Sequence, residues 1–547
     1  MISRIYCLAE EFSISVDARK RINKTASLRD FLFSLPKCLF MLFILRSPTI
    51  TFLIASFIII TIDEIKAETL EVGQGYPFAS LTEAANVVLP GDTILIHSGI
   101  YNGGIYQENL QGTANDWVYI FAASGETVIF SGGGNAWQFS DAAYLHIEGF
   151  IFEQQTGNGV NFDDGGSYDT PTHHIVFESC TFRDINATGN NDLLKLSGLD
   201  SFEIRSCTFL RGAAGGSGID MVGCHDGIIT QCRFEDLGSN SIQAKGGCRN
   251  IRIERNVFNH GGSRALNLGG STGLPFFRPL NAPYEAAELK VYSNVFIGSD
   301  APVAFVGTIN TEVVNNTFYL PTKWVLRILQ ETVDPDRFPP CGNNTFRNNI
   351  IYIDNRVSVE CNIGPNTAPE TFTFSNNLWF QRENSNWAGP DLPASDPNSL
   401  VGADPLLVDP AAEQFSLQPG SPAIGLGMSV PQPTSDFDGH PFLVPRSSGA
   451  YEGGMMTSIP DPLSDKNIDA FTVYPNPASD NISFRFATPL AKDAHMSLTS
   501  ISGIRALKTQ TLRAGTDLFS FNTHLIEPGM YVIRIIGYAP ERVIILH

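Results

Sequence analysis

The fold is decided by four near-copies of one unit: GNNDLLKLSGLDSFEIRSCTF (189–209), GGSGIDMVGCHDGIITQCRF (215–234), GSNSIQAKGGCRNIRIERNVF (238–258) and GGSRALNLGGSTG (261–273). Each unit carries a short run of alternating apolar residues, a glycine-containing turn, a second alternating run, and then a Cys or Asn one residue from a Phe. Alternation with period 2 marks strands. A unit of roughly 20–30 residues repeated in tandem marks a solenoid. Together they predict a β-helix rather than a helical array.

The repeat extends beyond those units. Cys180, Cys207, Cys232, Asn256, Asn294, Asn316, Asn349 and Asn377 open the motifs CTF, CTF, CRF, NVF, NVF, NTF, NII and NLW, at spacings of 27, 25, 24, 38, 22, 33 and 28. The short spacings are bare coils, and 38 and 33 are coils carrying an inserted loop. Equivalent side chains in successive coils stack about 4.8 Å apart. The Phe residues are then expected to fill the interior. The Asn residues are expected to hydrogen-bond along the axis and to satisfy turn backbone.

Composition agrees. The chain has 547 residues, 38 of them Phe and only 5 Trp, with 17% charged residues and a formal net charge of −20. That balance argues against nucleic acid as a partner and against broad attraction to anionic membranes. It leaves room for an acidic polysaccharide held by local basic groups. A monomer is expected. Of nine Cys, Cys180, Cys207 and Cys232 fall on the inner ladder as buried thiols. Cys224 and Cys248 occupy equivalent places in adjacent coils, where they stack or pair, and Cys341 and Cys361 are the leading disulfide candidates. No CxxC pair is present, which argues against a structural zinc site.

Residues 1–67 form the signal-peptide region. Translation is expected to start at Met41, the apolar run 49–62 is shorter than a membrane span, and cleavage is expected near Ala67. An uncleaved anchor is the alternative. The mature part opens with SLTEAANVV, a short helix capped by Ser80 with Glu83 three residues on. It is expected to cover the open N-terminal end of the solenoid. The β-helix is placed at 68–400. Asp163, Asp164 and Asp169 make an acidic loop, either a solvated turn or a calcium site. His173 and His174 are placed in a loop. Residues 401–454 are read as a segment that plugs the C-terminal end, 455–468 as a linker, and 469–547 as a separate small β-sandwich.

In the four units, Leu194/Leu196, Ile219/Met221, Ile242/Ala244 and Leu266/Leu268 are expected to point inward. The residues between them, Lys195, Asp220, Gln243 and Asn267, then share the outer face of one sheet, in a row of roughly 14 Å. Lys245 and Arg264 lie beside that row, and Asp192 begins the first unit. The two insertions add Arg278, Tyr284, Lys323, Trp324 and Arg327, and long loops on a rigid scaffold are where function concentrates. Mixed cations and carboxylates suit β-elimination of a uronate. The C5 carboxylate must be neutralised, a base must take the C5 proton, and an acid must protonate the leaving oxygen. Lys195, Lys245 and Arg264 are the catalytic candidates, since burial or a neighbouring cation lowers a lysine's proton affinity. Gln243, Asn267, Arg278, Lys323, Trp324 and Arg327 are the substrate-binding candidates. Asp192 and Asp220 are the candidate ligands of a calcium ion.

Residues 69–400 resemble the pectate-lyase-like superfamily of right-handed parallel β-helices, which includes polysaccharide lyases, glycoside hydrolases and non-catalytic surface proteins. No complete catalytic motif of a family can be matched. A glycoside hydrolase, which wants paired carboxylates, and a surface protein that only binds glycan remain the alternatives. The run YPNPASD, the ISG turn and the PGMYVIRI strand near the end resemble the type A sorting domain of the type IX secretion system. That resemblance implies export across the outer membrane of a Bacteroidetes-type bacterium, by way of the secretion machinery, to the cell surface or the medium.

Overall fold

The computed structural model describes residues 67–167, 169–453, 471–474, 481–486, 488–500, 506–523, 526, 529–535 and 541–545. The leader expected before Ala67 and the linker at 455–468 lie outside the described residues. The chain divides into two units, Met1–Met455 and Met456–His547.

Among the described residues, the first unit winds its strands into three parallel sheets of 12, 10 and 12 strands. A full coil contributes one strand to each of these sheets, the terminal coils lack one in the ten-stranded sheet, and a short three-stranded parallel ladder of Cys248–Arg249, Ala286–Ala287 and Thr308–Ile309 accompanies them. The interior is a continuous apolar column. Phe182, Phe209, Phe234, Phe258, Phe296 and Phe318 stack ring on ring with centroids 4.7 to 5.0 Å apart. The rings follow the strand spacing because the in-register pairing leaves them no other offset.

The Cys/Asn ladder occupies the corner before each Phe strand. Asn294 Oδ1 accepts from the Asn256 backbone N–H at 2.9 Å and from Asn256 Nδ2 at 3.0 Å, while Asn294 Nδ2 donates to Ile253 O at 2.9 Å. The same pattern links Asn294 to Asn316, Asn316 to Asn349 and Asn349 to Asn377. In the earlier coils thiols stand in, with Cys207 Sγ on Phe177 O and Cys232 Sγ on Ile204 O, both at 3.6 Å. The residue before each ladder position is left-handed without being glycine: Ser179, Ser206, Gln231, Arg255, Ser293, Asn315, Asn348 and Asn376 all have φ between 51° and 58°. Such a residue costs about 1 kcal/mol or more. The ladder satisfies the buried amide that the bend exposes.

At the N-terminal end, the helix Leu81–Ala85 buries Leu81 and Ala84 against the column. Ser80 Oγ accepts from the Glu83 N–H at 3.3 Å, and Glu83 Oε2 accepts from the Ala79 N–H. The expected cap is present.

Three expectations are corrected. Residues 401–453 do not plug the C-terminal end. Leu407, Phe415, Ala423 and Ala450 pack against Val295, Ile350 and Leu378 on the outside of one sheet, making that segment a strap along the flank. The strap is bonded to the coil corners: Asn315 Nδ2 donates to Ser447 O, Asn348 Nδ2 to Met428 O, Asn376 Nδ2 to Leu426 O, and Arg255 Nε to Phe437 O. The column ends instead under Trp387, Leu392 and Ala394, with Trp379 Nε1 on Asp396 Oδ2 at 2.8 Å. Cys341 and Cys361 are free buried thiols. Cys361 starts a strand of the ten-stranded sheet and Cys341 bridges to Thr367 elsewhere on the coil, so the two sit on different ladders. Cys224 and Cys248 stack as free thiols without a disulfide, the Cys224 N–H donating to Cys248 Sγ at 3.2 Å. His173 and His174 lie in the strand Thr172–Glu178, not in a loop.

The second unit is antiparallel. Phe471–Tyr474, Asn481–Phe486 and Leu518–Asn522 form a three-stranded sheet. Ala506–Leu512, Ala494–Ser500, Gly529–Ile535 and Glu541–Ile545 form a four-stranded one. Ile482, Phe484, Met496, Leu498, Ile533 and Val543 share its core.

Two substitutions separate the two ladders. Phe234→Ala removes a ring from a column with no room to collapse and should cost about 3–5 kcal/mol. Asn316→Ala strands the Asn294 N–H and the Val291 carbonyl and should cost about 3 kcal/mol, despite removing little apolar area. Chemical denaturation of the purified protein reads both.

Candidate functional site

The ten-stranded sheet carries one in-register row of side chains on its outer face. Register places Lys195 beside Asp220, Asp220 beside Gln243 and Gln243 beside Asn267. Leu194, Leu196, Ile219, Met221, Ile242, Leu266 and Leu268 are all buried inward. The row continues through Asn161 and Gln138 on one side, and through Ala304, Arg327 and Asn362 on the other. Arg327, which the sequence places only in an inserted loop, is therefore a member of the row.

Its centre is a cluster of two cations and two anions. Asp220, 1% exposed, is the hub. Lys195 Nζ pairs with Asp220 Oδ2, and Lys245 Nζ lies 3.2 Å from Asp220 Oδ1. Lys195 Nζ also lies 3.7 Å from Asp192 Oδ2, and Asp192 Oδ1 accepts from the Ser217 N–H at 2.8 Å. Burial lowers the proton affinity of Lys195, against the pull of Asp192 and with the push of Lys245. Burial likewise lowers that of Lys245 and raises that of Asp192. The site thus holds two amines that burial makes easier to deprotonate than a lysine in water. Asp192 and Asp220 do not suit the calcium ion proposed for them. Calcium takes six to eight oxygens, whereas these carboxylates are ringed by ammonium groups a cation would have to displace.

Two clefts meet over Lys245. The first, about 430 Å³, is lined by Lys195, Lys245, Asp164, Thr272, Phe276 and Arg278, among others. The second, about 510 Å³, is lined by Lys245, Gln243, Asn267, Arg264, Arg327 and Glu331, among others. The insertion after Gly269 walls the first. Its Arg278 is clamped by Asp200 through two 2.8 Å bonds and donates to Gly223 O at 3.0 Å. Gly223 has φ +61°, and a Cβ there would stand 2.5 Å from Arg278 Cβ, so only glycine admits this clamp. Fully buried Glu285 ties three segments together. It accepts from the Gly246 N–H at 2.9 Å, from Thr272 N–H and Oγ1 at 2.8 and 2.7 Å, and from Thr332 Oγ1.

The structure brings Lys195, Lys245, Asp192, Asp220 and Gln243 together, with Arg278 at the wall of the first cleft. Arg264 is apart from the lysine pair. It belongs to the second cleft, bonded to Asn267 Oδ1 and Glu331 Oε1, both at 2.9 Å. Lys323 and Trp324 lie outside both linings. Lys323 Nζ and the Arg327 guanidinium sit 4.1 and 4.5 Å from the Trp324 ring centroid. Four residues went unrecognised in the sequence: Asp200, Phe276, Glu285, and Asp164 in its proper place. Asp164 comes from the acidic loop but faces the lysines across the first cleft, and burial pushes its carboxyl upward. The PFF run inside an insertion was the one available signal for Phe276.

Residues 125–318 match the family described as right handed beta helix region, and residues 472–543 match the secretion system C-terminal sorting domain. The chain thus joins a right-handed parallel β-helix to a type IX secretion sorting tail. No curated protein matches it. Among solved structures it is similar to pectate lyase Pel9A, with a TM-score of 0.48 and 14% identity over 71% of this chain and 97% of that one. It is also similar to an alginate lyase from Paenibacillus sp. str. FPU-7, with a TM-score of 0.33 and 16% identity over 56% of this chain and 97% of that one. A third is XylC in complex with xylose, with a TM-score of 0.40 and 10% identity over 86% of this chain and 100% of that one. At these identities the likeness concerns the backbone path alone.

Glu285→Gln tests the anchoring of the cleft wall. The substitution turns one accepting oxygen into a donor facing donors, at a local cost of about 1–3 kcal/mol. Proteolysis within 270–285 should accelerate while the global unfolding midpoint moves little. Mass spectrometry of limited digests checks this.

Proposed function

We propose that the protein is an exported enzyme that cleaves an acidic, uronate-containing polysaccharide by β-elimination. The observation that carries this reading is the lysine pair: Lys195 and Lys245, on neighbouring strands but one, share the buried Asp220 at the floor of an open cleft. The sorting tail supports delivery to the surface or the medium, where such polymers are met.

In this reading the polymer lies along the row, with a uronate over the first cleft. The Lys245 ammonium and the Arg278 guanidinium face its carboxylate and offset the charge that builds as C5 loses its proton. Lys195, whose neutral form burial favours, takes the C5 proton. The C5–H electron pair becomes the C4=C5 double bond, and the C4–O4 bond breaks. Asp164, whose carboxyl burial holds upward, gives its proton to the departing O4. Asp220 orients both amines and takes no part in proton transfer. Gln243, Asn267, Arg264 and Arg327 bind the flanking sugars in the second cleft.

A hydrolase would need a second carboxylate beside Asp164 in the cleft. Asp220 is engaged by both lysines, and Asp200 is clamped to Arg278. The charge arrangement favours elimination.

Incubation with alginate, pectin and chondroitin should generate the ultraviolet absorbance of an unsaturated uronate from at least one polymer. Reducing ends without that absorbance would replace elimination by hydrolysis, and binding without either would leave a glycan-binding protein. Lys195→Ala should lower turnover about 10²–10⁴-fold.

The pH profile carries a sign. Only the neutral amine accepts a proton, so the rate should rise with pH through the lysine transition, at a midpoint below the ordinary 10.5. A rate that falls across that range would remove Lys195 as the base.

A further inference from the structure

We propose that Phe276 is the stacking platform for the pyranose ring that sits in the cleft of Lys195 and Lys245. This assignment rests on the acidic-polysaccharide reading of that cleft and adds the group that grips the sugar's apolar face.

Phe276 is 69% exposed and lines the first cleft. Its exposure is built in on both sides. Before it, Thr272 is bonded through its N–H and its hydroxyl to buried Glu285. The short 3-10 turn Leu274–Phe276 follows, closed by the Phe276 N–H on Gly273 O at 2.9 Å. After it, Phe277 is fully buried, its ring 5.3 Å from that of Phe338 and 4.6 Å from the Arg337 guanidinium. Arg278 is then clamped to Asp200. A segment pinned at both ends thus holds one large apolar ring out in water, at the mouth of a polar, cationic cleft. Left bare, that ring forgoes the burial that a large apolar side chain ordinarily finds.

The chemistry of the opposite wall selects the occupant. A uronate carries a carboxylate, hydroxyls and a face of C–H bonds. The carboxylate matches Lys245 and Arg278. The C–H face, weakly positive, matches the negative face of an aromatic ring. A neutral sugar meets only the ring, and an aliphatic anion meets only the cations. A uronate ring uses both, which fixes its orientation over the base.

Binding and turnover are separable readouts. Affinity for uronate tetrasaccharides cut from alginate, pectin and chondroitin can be measured calorimetrically in the Lys195→Ala background, where the ligand is not consumed. Adding Phe276→Ala should weaken binding of the recognised oligosaccharide about tenfold. Phe276→Trp should keep affinity within about threefold, and its new indole fluorescence should shift on saturation. A neutral xylo-tetrasaccharide should produce no shift at the same concentration. Phe276→Ala binding as tightly as its parent would overturn the platform while leaving elimination standing. Platform-dependent binding in a protein that yields no unsaturated product would overturn elimination alone. Failure to bind any of the three uronates would overturn both.

Discussion

At every corner between the first strand and the Phe strand of a coil, the backbone bends through a left-handed residue and leaves a buried amide facing the neighbouring coil. The answer to that amide is the constraint on which the structure depends. Asn256, Asn294, Asn316, Asn349 and Asn377 each bring one acceptor and two donors, enough to satisfy the previous coil and to hand the pattern on. The bonding partner lies one coil away, so a coil cannot slip by a residue without stranding these groups. The same restriction that keeps the Phe rings in file keeps the outer row in file. Lys195 and Asp220 are neighbours because the corners permit no other register.

The cluster on that row inverts the usual economy of a surface. Two amines and two carboxylates sit at a floor that water reaches only from above, and Asp220 contacts both lysines across the strand between them. Removing ions from water is unfavourable unless each finds a partner. Here pairing is tight enough to hold the groups, while burial lowers the proton affinity of both amines. The walls are fixed by separate devices. Asp200 clamps Arg278, and Glu285 binds both insertions to the turn after Lys245. An opening assembled from three distant segments therefore keeps one shape.

The parts of the molecule legible in the sequence are those that repeat. The Cys/Asn-x-Phe motif returned every coil, so the solenoid, its Phe column and the in-register row of Lys195, Asp220, Gln243 and Asn267 followed from counting. What did not repeat did not show. Ser179, Gln231 and Arg255 are not residue types that announce a left-handed bend, and only the geometry of the corner explains them. Glu285 and Phe276 lie inside an insertion with no period, and their positions depend on side chains far along the chain. Asp164 belongs to an acidic loop that composition renders as a solvated turn. Arg264 read as a neighbour of the lysines because spacing along a strand does not tell which way a long side chain leans, and Glu331 draws it to the other cleft. The strap at 401–453 reads as a plug because apolar residues near a solenoid's end look alike whether they close its mouth or cover its flank.

The strap changes how the solenoid comes apart. A stack of coils that touch only their neighbours can open anywhere, with each rung melting on its own terms. Residues 401–453 reach from Arg233, paired with Glu413 at 2.9 Å, through Arg255, Asn315 and Asn348 to Asn376. One ribbon is thereby fastened to coils as far apart as that of Arg233, in the second of the four repeated units, and that of Asn376, the last of the ladder. Such a brace lengthens the stretch that must unravel together. An exported protein is exposed to proteases that exploit brief local openings, and the rungs under the brace, the second cleft among them, share their resistance rather than each facing that attack alone.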